Sequence, residues 1–137
     1  ELKKIKASEV IASKLGLGKG EPVVYLYRRR FADNEPIVLQ KTYLSCKKCG
    51  FILDCDFTKD SLYKSLARTN QTKVVRVQRI VEVDEATNED AENLEIAMGK
   101  PIQSFTTTGF NVFGEVIEFS LARYRGDRSR FEVSANI

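Results

Sequence analysis

The sequence predicts an α+β fold, an antiparallel β-sheet carrying a few short helices. Strand-like runs rich in Val, Ile, Tyr and Phe follow one another across tight turns, which is how antiparallel strands connect. The helical patterns between them are few and short. One pattern also occurs twice. Ala12-x-x-Leu15-x-Leu17-x-x-Gly20-x-Pro22 recurs as Ala91-x-x-Leu94-x-Ile96-x-x-Gly99-x-Pro101. Each copy precedes a strand, a turn with Glu35 or Glu115, and a second strand. The chain therefore reads as two internally duplicated helix–hairpin units joined by a middle segment. Chance recurrence of Leu, Gly and Pro around helix ends is the alternative.

In chain order, Ser8 caps a short helix with Ile11 and Leu15 on one face, and Gly16, Gly18, Gly20 and Pro22 end it. Val23 to Phe31 is a strand, Asp33-Asn34-Glu35-Pro36 a turn, and Ile37 to Leu44 the returning strand. Ser45 to Asp56 reads as irregular. Thr58 or Lys59 opens a second helix, with Leu62 and Leu66 at i,i+4 spacing. Val74 to Val83 is a long strand with Val75, Val77, Arg79, Val81 and Val83 on one parity. Thr87 starts a third helix with Asp90 in a capping-box position. Ile102 to Phe113, a turn at Gly114, and Val116 to Tyr124 form the second hairpin, and Phe131 to Ile137 reads as a final strand.

The 137 residues suit a single domain spanning 1–137 with one core. No apolar run approaches the roughly 18 residues of a membrane helix, and no membrane partner is expected. The start Glu-Leu-Lys-Lys, without a signal peptide or initiator Met, reads as the beginning of an excised fragment. A net charge of +3 from 22 basic and 19 acidic residues is too balanced to mark a nucleic-acid surface. Histidine is absent, which removes the commonest general base and metal ligand. Three cysteines without a secretory signal suit a reducing cytoplasm.

An ordered series of short motifs spans nearly the whole chain. Leu15-Gly16-Leu17-x-x-Gly20-x-Pro22-Val23 leads to Arg28-x-Arg30-x-x-Asp33-x-Glu35-Pro36-Ile37 and Tyr43-Leu44. Ser61-Leu62-Tyr63 and Leu94-x-Ile96-x-x-Gly99-x-Pro101 follow. Gly114-Glu115-x-Ile117-Glu118-x-Ser120, Tyr124-Arg125-Gly126-Asp127-Arg128 and Phe131 complete it. The series resembles the UTRA domain, the effector-binding domain of HutC-type GntR transcription regulators. That resemblance implies a chorismate-lyase-like fold and a homodimer. It also implies a winged helix-turn-helix upstream of the fragment, which would contact operator DNA in place of this segment. A small anionic ligand, often a phosphorylated sugar, would alter operator affinity. The family's first strand is expected to be missing here.

Arg28 and Arg30 stand two apart on a strand, so both leave one face and could clamp a phosphate or carboxylate, while Arg29 points the other way. Spacing alone favours a charged outer face for them; the resemblance, which places phosphate-binding arginines here, reverses that. Ser61 falls in the first turn of the expected helix, where free backbone N–H groups favour an anion, or it is an ordinary early-helix residue. Tyr63 and Tyr124 match ligand contacts of the family, although the Tyr63 ring could simply cover the core. Glu118 and Ser120 share a strand face within the apolar run Val116 to Leu121. A buried carboxylate there needs a partner, either a ligand hydroxyl or amine or a neighbouring arginine. Gln40 stands where the family's sugar-phosphate binders often carry Glu. A neutral amide cannot pair with an ammonium, so the expected ligand is anionic but not an amino sugar of the usual kind.

Arg125, Asp127 and Arg128 read as a turn pinned by charge pairs. Cys46-x-x-Cys49 with Cys55 lacks the four N or S ligands of a closed zinc site and follows a strand, so neither metal nor redox chemistry is assigned and no cofactor is expected. Three functions compete: a small-molecule sensor acting on upstream DNA-binding domains, a chorismate-lyase-type enzyme, and a dimerisation module without a ligand. Two arginines and Glu118 supply binding groups but no evident proton-transfer pair, which favours the sensor over the enzyme.

Overall fold

The two copies of the repeated pattern fold into the two halves of one sheet. In a computed structural model describing all 137 residues, β1 (Leu2–Lys6), α1 (Glu9–Leu15), β2 (Pro22–Ala32) and β3 (Glu35–Ser45) form the first half. A middle segment carries α2 (Cys46–Cys49), a 3-10 turn (Gly50–Asp54) and α3 (Leu62–Leu66). The second half is β4 (Arg76–Glu85), α4 (Asn88–Leu94), β5 (Pro101–Phe110) and β6 (Val116–Arg125), followed by a 3-10 turn at Gly126–Arg128. The six strands run in the order β1-β2-β3-β6-β5-β4, and every pairing is antiparallel. The order is symmetric about the β3–β6 seam, so the duplicated unit is a strand–helix–hairpin, one strand longer than the sequence pattern shows.

The repeat extends to individual hydrogen bonds. Ala7 N–H donates to Glu21 O at 2.8 Å, and Ala86 N–H donates to Lys100 O at 2.8 Å. Gly20 N–H reaches Ala7 O at 3.0 Å, as Gly99 N–H reaches Ala86 O at 3.0 Å. Ser8 and Thr87 cap the two helices through their hydroxyls. Gly20 and Gly99 hold φ of 83° and 80°, a left-handed turn that glycine adopts without a Cβ clash. Thr87 and Asp90 form a complete capping box, as the sequence indicates.

Alternation along the strands separates two faces. On one, Ala12 and Leu15 of α1 pack on Val23 and Phe119, and Leu94 of α4 packs on Leu39 and Ile102. On the other, Cys49, Ile52, Leu62 and Leu66 of the middle segment pack on Val24, Leu26 and Leu44. The middle segment covers β2 and β3, and the same face continues past it over β6, β5 and β4.

Several elements differ from the sequence reading. A strand does precede α1, since Leu2–Lys6 pairs with β2 from Leu2↔Leu26 to Lys6↔Pro22. Ser45 to Asp56 is not irregular but holds two short helical turns, too brief to show periodicity. The Cys-x-x-Cys pair therefore lies within a helical turn, with Cys49 fully buried and its thiol pushed up to about 12 by desolvation. The helix expected from Thr58 starts at Leu62, because the Asp56 carboxylate accepts the Thr58 N–H and hydroxyl and holds the chain in a turn. Asn111 ends β5 early by accepting the Phe113 and Glu115 N–H groups on its side-chain oxygen. Phe131 to Ile137 is not a strand, since no neighbouring strand pairs with it, and the Phe131 ring packs edge-on against Phe105 at 5.2 Å.

One arginine ties the second repeat together through two ion pairs. Arg123 of β6 donates Nε and Nη2 to Asp90 at 2.9–3.0 Å and Nη1 to Asp84 at 3.0 Å. Burial pushes the Asp90 carboxyl up, but Arg123 and the Thr87 N–H outweigh it and hold it below the usual range. Asp90→Ala removes the pair and the capping-box bond from the Thr87 N–H together, and is expected to cost about 3 kcal/mol by urea denaturation. Glu89→Ala, which breaks the exposed pair with Lys41, is expected to cost under about 1 kcal/mol. Because Asp90 is depressed in the folded state, its contribution is full at neutral pH and fades as the pH drops below about 4.

Candidate functional site

Strand register brings the polar side chains of the open face into rows. Arg28 lies opposite Gln40, and Gln40 opposite Ala122. The next row runs Leu26, Thr42, Ser120, Thr107 and Arg79 across five strands. Leu44, Glu118, Gly109 and Val77 form a third, and Val38, Tyr124 and Gln103 extend the row that begins at Arg30. A polar floor thus forms between the middle segment and β4.

Above this floor lies a cavity of about 260 Å³ lined by Arg28, Arg30, Gln40, Ser61, Leu62, Tyr63, Arg79, Glu118 and Tyr124. Seven of the eight residues singled out from the sequence line it together. The eighth, Ser120, lines an adjoining space of about 260 Å³ that shares Gln40, Tyr63, Arg79 and Tyr124. There Phe105 stands edge-on to Tyr124 at 5.2 Å, and Phe131 from the C-terminal tail completes the wall.

Glu118 is 2% exposed, and its partner is the Tyr63 hydroxyl, which donates to Oε1. The partner is therefore a tyrosine from α3 rather than a strand-neighbouring arginine. Burial raises the Glu118 carboxyl above its usual pKa; the Tyr63 hydrogen bond and the Arg28 and Arg79 charges pull it back only in part. Gly109 makes the position possible. A Cβ there would stand 2.8 Å from Glu118 Cγ and 3.1 Å from Val74 Cγ1.

The Arg28 guanidinium is half-buried. Its Nη2 donates weakly to Thr42 Oγ1 at 3.5 Å, while Nε is buried without a partner in the protein. Desolvation, then the adjacent Arg30 charge, lowers its pKa, and Glu118 acts in the opposite sense. Arg30 is exposed at the rim. Arg29 points to the other face, where Nη1 donates to Asn93 O at 3.3 Å. Ser61 is the N-cap of α3 without a side-chain capping bond, not a first-turn residue. With α3 only five residues long, the dipole argument for Ser61 falls away, and its hydroxyl is what remains.

Arg79 is the residue the sequence reading passed over. It donates Nε to Thr107 Oγ1 at 3.3 Å and lines both spaces. Its place among alternating valines looked like one side of a strand, and nothing local showed that β4 would border the site. Arg125 and Arg128 pin the neighbouring turns, as expected. Arg125 grips Asp127 at 2.8 and 3.1 Å, and Arg128 bonds Glu35.

Residues 1–130 match the model of the UTRA domain. The HTH-type transcriptional regulator GmuR of Bacillus subtilis is 30% identical over 121 residues, 88% of this chain and 51% of that protein. The HTH-type transcriptional repressor NagR of the same organism is 28% identical over 127 residues, 93% of this chain and 52% of that protein. The chain thus spans about half the length of these curated relatives. Among solved structures, the effector domain of PhnF from Mycobacterium smegmatis has a TM-score of 0.91 at 22% identity, covering 100% of this chain and 84% of that one. No helix is long and apolar enough to cross a membrane.

Two substitutions test the buried carboxylate. With its folded-state pKa raised, Glu118 favours folding below about pH 4.3 and loses that contribution as it ionises. Glu118→Gln is therefore expected to melt higher than the wild type at pH 7, with the gap closing toward pH 4, by calorimetry without ligand. Gly109→Ala must displace Glu118 and is expected to lower stability by about 1–3 kcal/mol in urea denaturation.

Proposed function

The chain belongs to the UTRA domain family, and from that membership we propose that it is the effector-binding part of a HutC-type GntR transcription regulator. In this reading operator contacts lie in a winged helix-turn-helix outside these residues, the protein works as a homodimer, and ligand binding changes operator affinity. The ligand must then bind one state of the regulator better than the other.

The ligand is a small anionic metabolite, a phosphorylated sugar or sugar derivative. The observation that carries this is the guanidinium of Arg28, half-buried with an unpartnered Nε, beside Arg30 in the cavity that also holds Glu118. Three arginines line that space against one carboxylate. A phosphate monoester, with a charge of about −1.5 to −2, offsets the excess. Arg28, Arg30 and the Ser61 hydroxyl take the phosphate. Glu118, Ser120, Tyr63 and Tyr124 face the hydroxyl-bearing remainder, and the neutral Gln40 gives an ammonium no counter-charge.

Glucose 6-phosphate is the probe. It is expected to raise the melting temperature where glucose does not, since only a ligand bound to the native state does so. Arg30→Ala is expected to weaken its binding about 30-fold by calorimetry, the loss of roughly 2 kcal/mol of charge-assisted hydrogen bonding. Arg29→Ala should leave binding unchanged, and glucosamine 6-phosphate should bind no more tightly than glucose 6-phosphate. Equal binding by Arg30→Ala and the wild type would overturn the assignment.

A further inference from the structure

The cavity that holds Arg28, Arg30 and Glu118 is continued by the adjoining space of about 260 Å³, with Gln40, Tyr63, Arg79 and Tyr124 common to both. Two phenyl rings wall this second space. Phe105 of β5 stands edge-on to Tyr124 and to Phe131 of the C-terminal tail, in each case at 5.2 Å. Phe131 is 44% exposed, so part of its ring is free of protein contact. On the floor, Ala122 lies between Gln40 and Phe105 and leaves depth because its side chain ends at Cβ. Gln103, Thr107 and Ser129 bring polar groups to the same walls. The Gln103 side-chain oxygen accepts the Ser129 hydroxyl at 3.1 Å, which leaves its NH2 group for a ligand. The tail makes no backbone hydrogen bond to the sheet, so side-chain contacts hold Ser129 and Phe131 in place.

We propose that this space is a subsite for a second sugar ring, walled by Phe105 and Phe131, and that the ligand is a phosphorylated disaccharide. The inference rests on the assignment of the phosphate to Arg28 and Arg30 under the proposed function. Length is the first argument. The Arg28 guanidinium leans to Thr42 of β3, so a phosphate held there starts over the β2–β3 pair. β5 lies two strands beyond β3, about 10 Å away. Five bonds separate the phosphorus of a hexose 6-phosphate from its anomeric carbon, on the order of 6 Å. A single ring therefore ends over β6, where Glu118, Ser120 and Tyr124 stand, and falls short of Phe105. The group on its anomeric carbon is the part that enters the second space. The walls then name that group. Phenyl rings offer a broad apolar surface to the C–H face of a pyranose. The amide and hydroxyls of Gln103, Thr107 and Ser129 would go unanswered by a hydrocarbon, which is unfavourable once water is excluded. A second sugar ring supplies both an apolar face and a rim of hydroxyls.

Calorimetric titration of the chain tests this. The probes are maltose 6′-phosphate and cellobiose 6′-phosphate, whose phosphorylated ring carries the second ring through an α or a β link. The methyl glucoside 6-phosphate of matching configuration is the one-ring control for each. One of the two disaccharide phosphates should bind about tenfold or more tightly than its control, from the apolar area that the second ring buries. Phe131→Ala should bring that ratio to within about threefold while leaving the control's affinity unchanged, and Phe131→Tyr should restore it. Phenyl glucoside 6-phosphate, whose second ring has no hydroxyls, should bind less tightly than the better disaccharide phosphate; tighter binding would overturn the sugar assignment. Disaccharide phosphates that bind the wild type no better than their controls would overturn the subsite and leave the phosphate assignment standing. A Phe131→Ala protein that loses affinity equally for one-ring and two-ring probes would overturn it too, since the ring would then only hold the tail. If no sugar phosphate binds, glucose 6-phosphate included, the ligand class of the proposed function falls and the subsite with it.

Discussion

A carboxylate buried inside a sheet face is the constraint around which the site is arranged. Glu118 is nearly inaccessible, and an ionised group in such a place is unfavourable unless something answers it. The protein answers with a hydroxyl from Tyr63, two arginines at a distance, and a glycine opposite that leaves room for the side chain. Each comes from a different element: α3, β2, β4 and β5. The position of Glu118 thus depends on strand register across most of the sheet, and its raised pKa shows that the answer is partial. In the proposed reading, the hydroxyls of a bound sugar derivative would give this carboxylate the further donors it lacks.

The duplication explains why the cavity sits off-centre. Two strand–helix–hairpin units meet at the β3–β6 seam and place α1 and α4 on the same face, each reaching across the seam, α1 to Phe119 of β6 and α4 to Leu39 of β3. The other face has only the single segment between the repeats to cover it. That segment packs Cys49, Ile52, Leu62 and Leu66 over β2 and β3 and leaves polar residues of β6, β5 and β4 beside it. The scaffold is symmetric, its cover is not, and the site lies at the boundary.

Much of this could be read before any coordinates. The repeated helix ends, the Thr87–Asp90 capping box and both hairpins rest on local chemistry, and local chemistry is visible in sequence. Arg28, Arg30, Glu118 and Ser120 were found because period-two spacing fixes a common face within each strand. Arg79, Thr42 and Thr107 were not, because their proximity to the site depends on which strand lies beside which. The Phe131–Ile137 misreading has the same root. Alternation at Phe131 and Val133 suits a strand, but a strand needs a partner, and the tail lies against Phe105 instead. The short turns at 46–54 escaped because one turn of helix has no period.

Communication between a ligand site and a distant partner requires an element whose state both can bias. In the proposed sensor, β4 is placed to be such an element. On one side Arg79 reaches into the cavity and bonds Thr107; on the other the strand has no neighbour within the chain. Every hydrogen bond it makes to backbone in this protomer goes through β5, so its position is set from one side only. A negatively charged ligand drawing the Arg79 guanidinium toward the floor would pull on a strand held otherwise by β5 and by Arg123, which bonds Asp84 and Glu85 O. β1, short and carrying lysines, adds no side chain to the Arg79 cavity, although its Leu2 lines a neighbouring space with Arg28 and Arg30. Of the two edges that duplication created, β4 is the one that puts a side chain, Arg79, into the cavity itself.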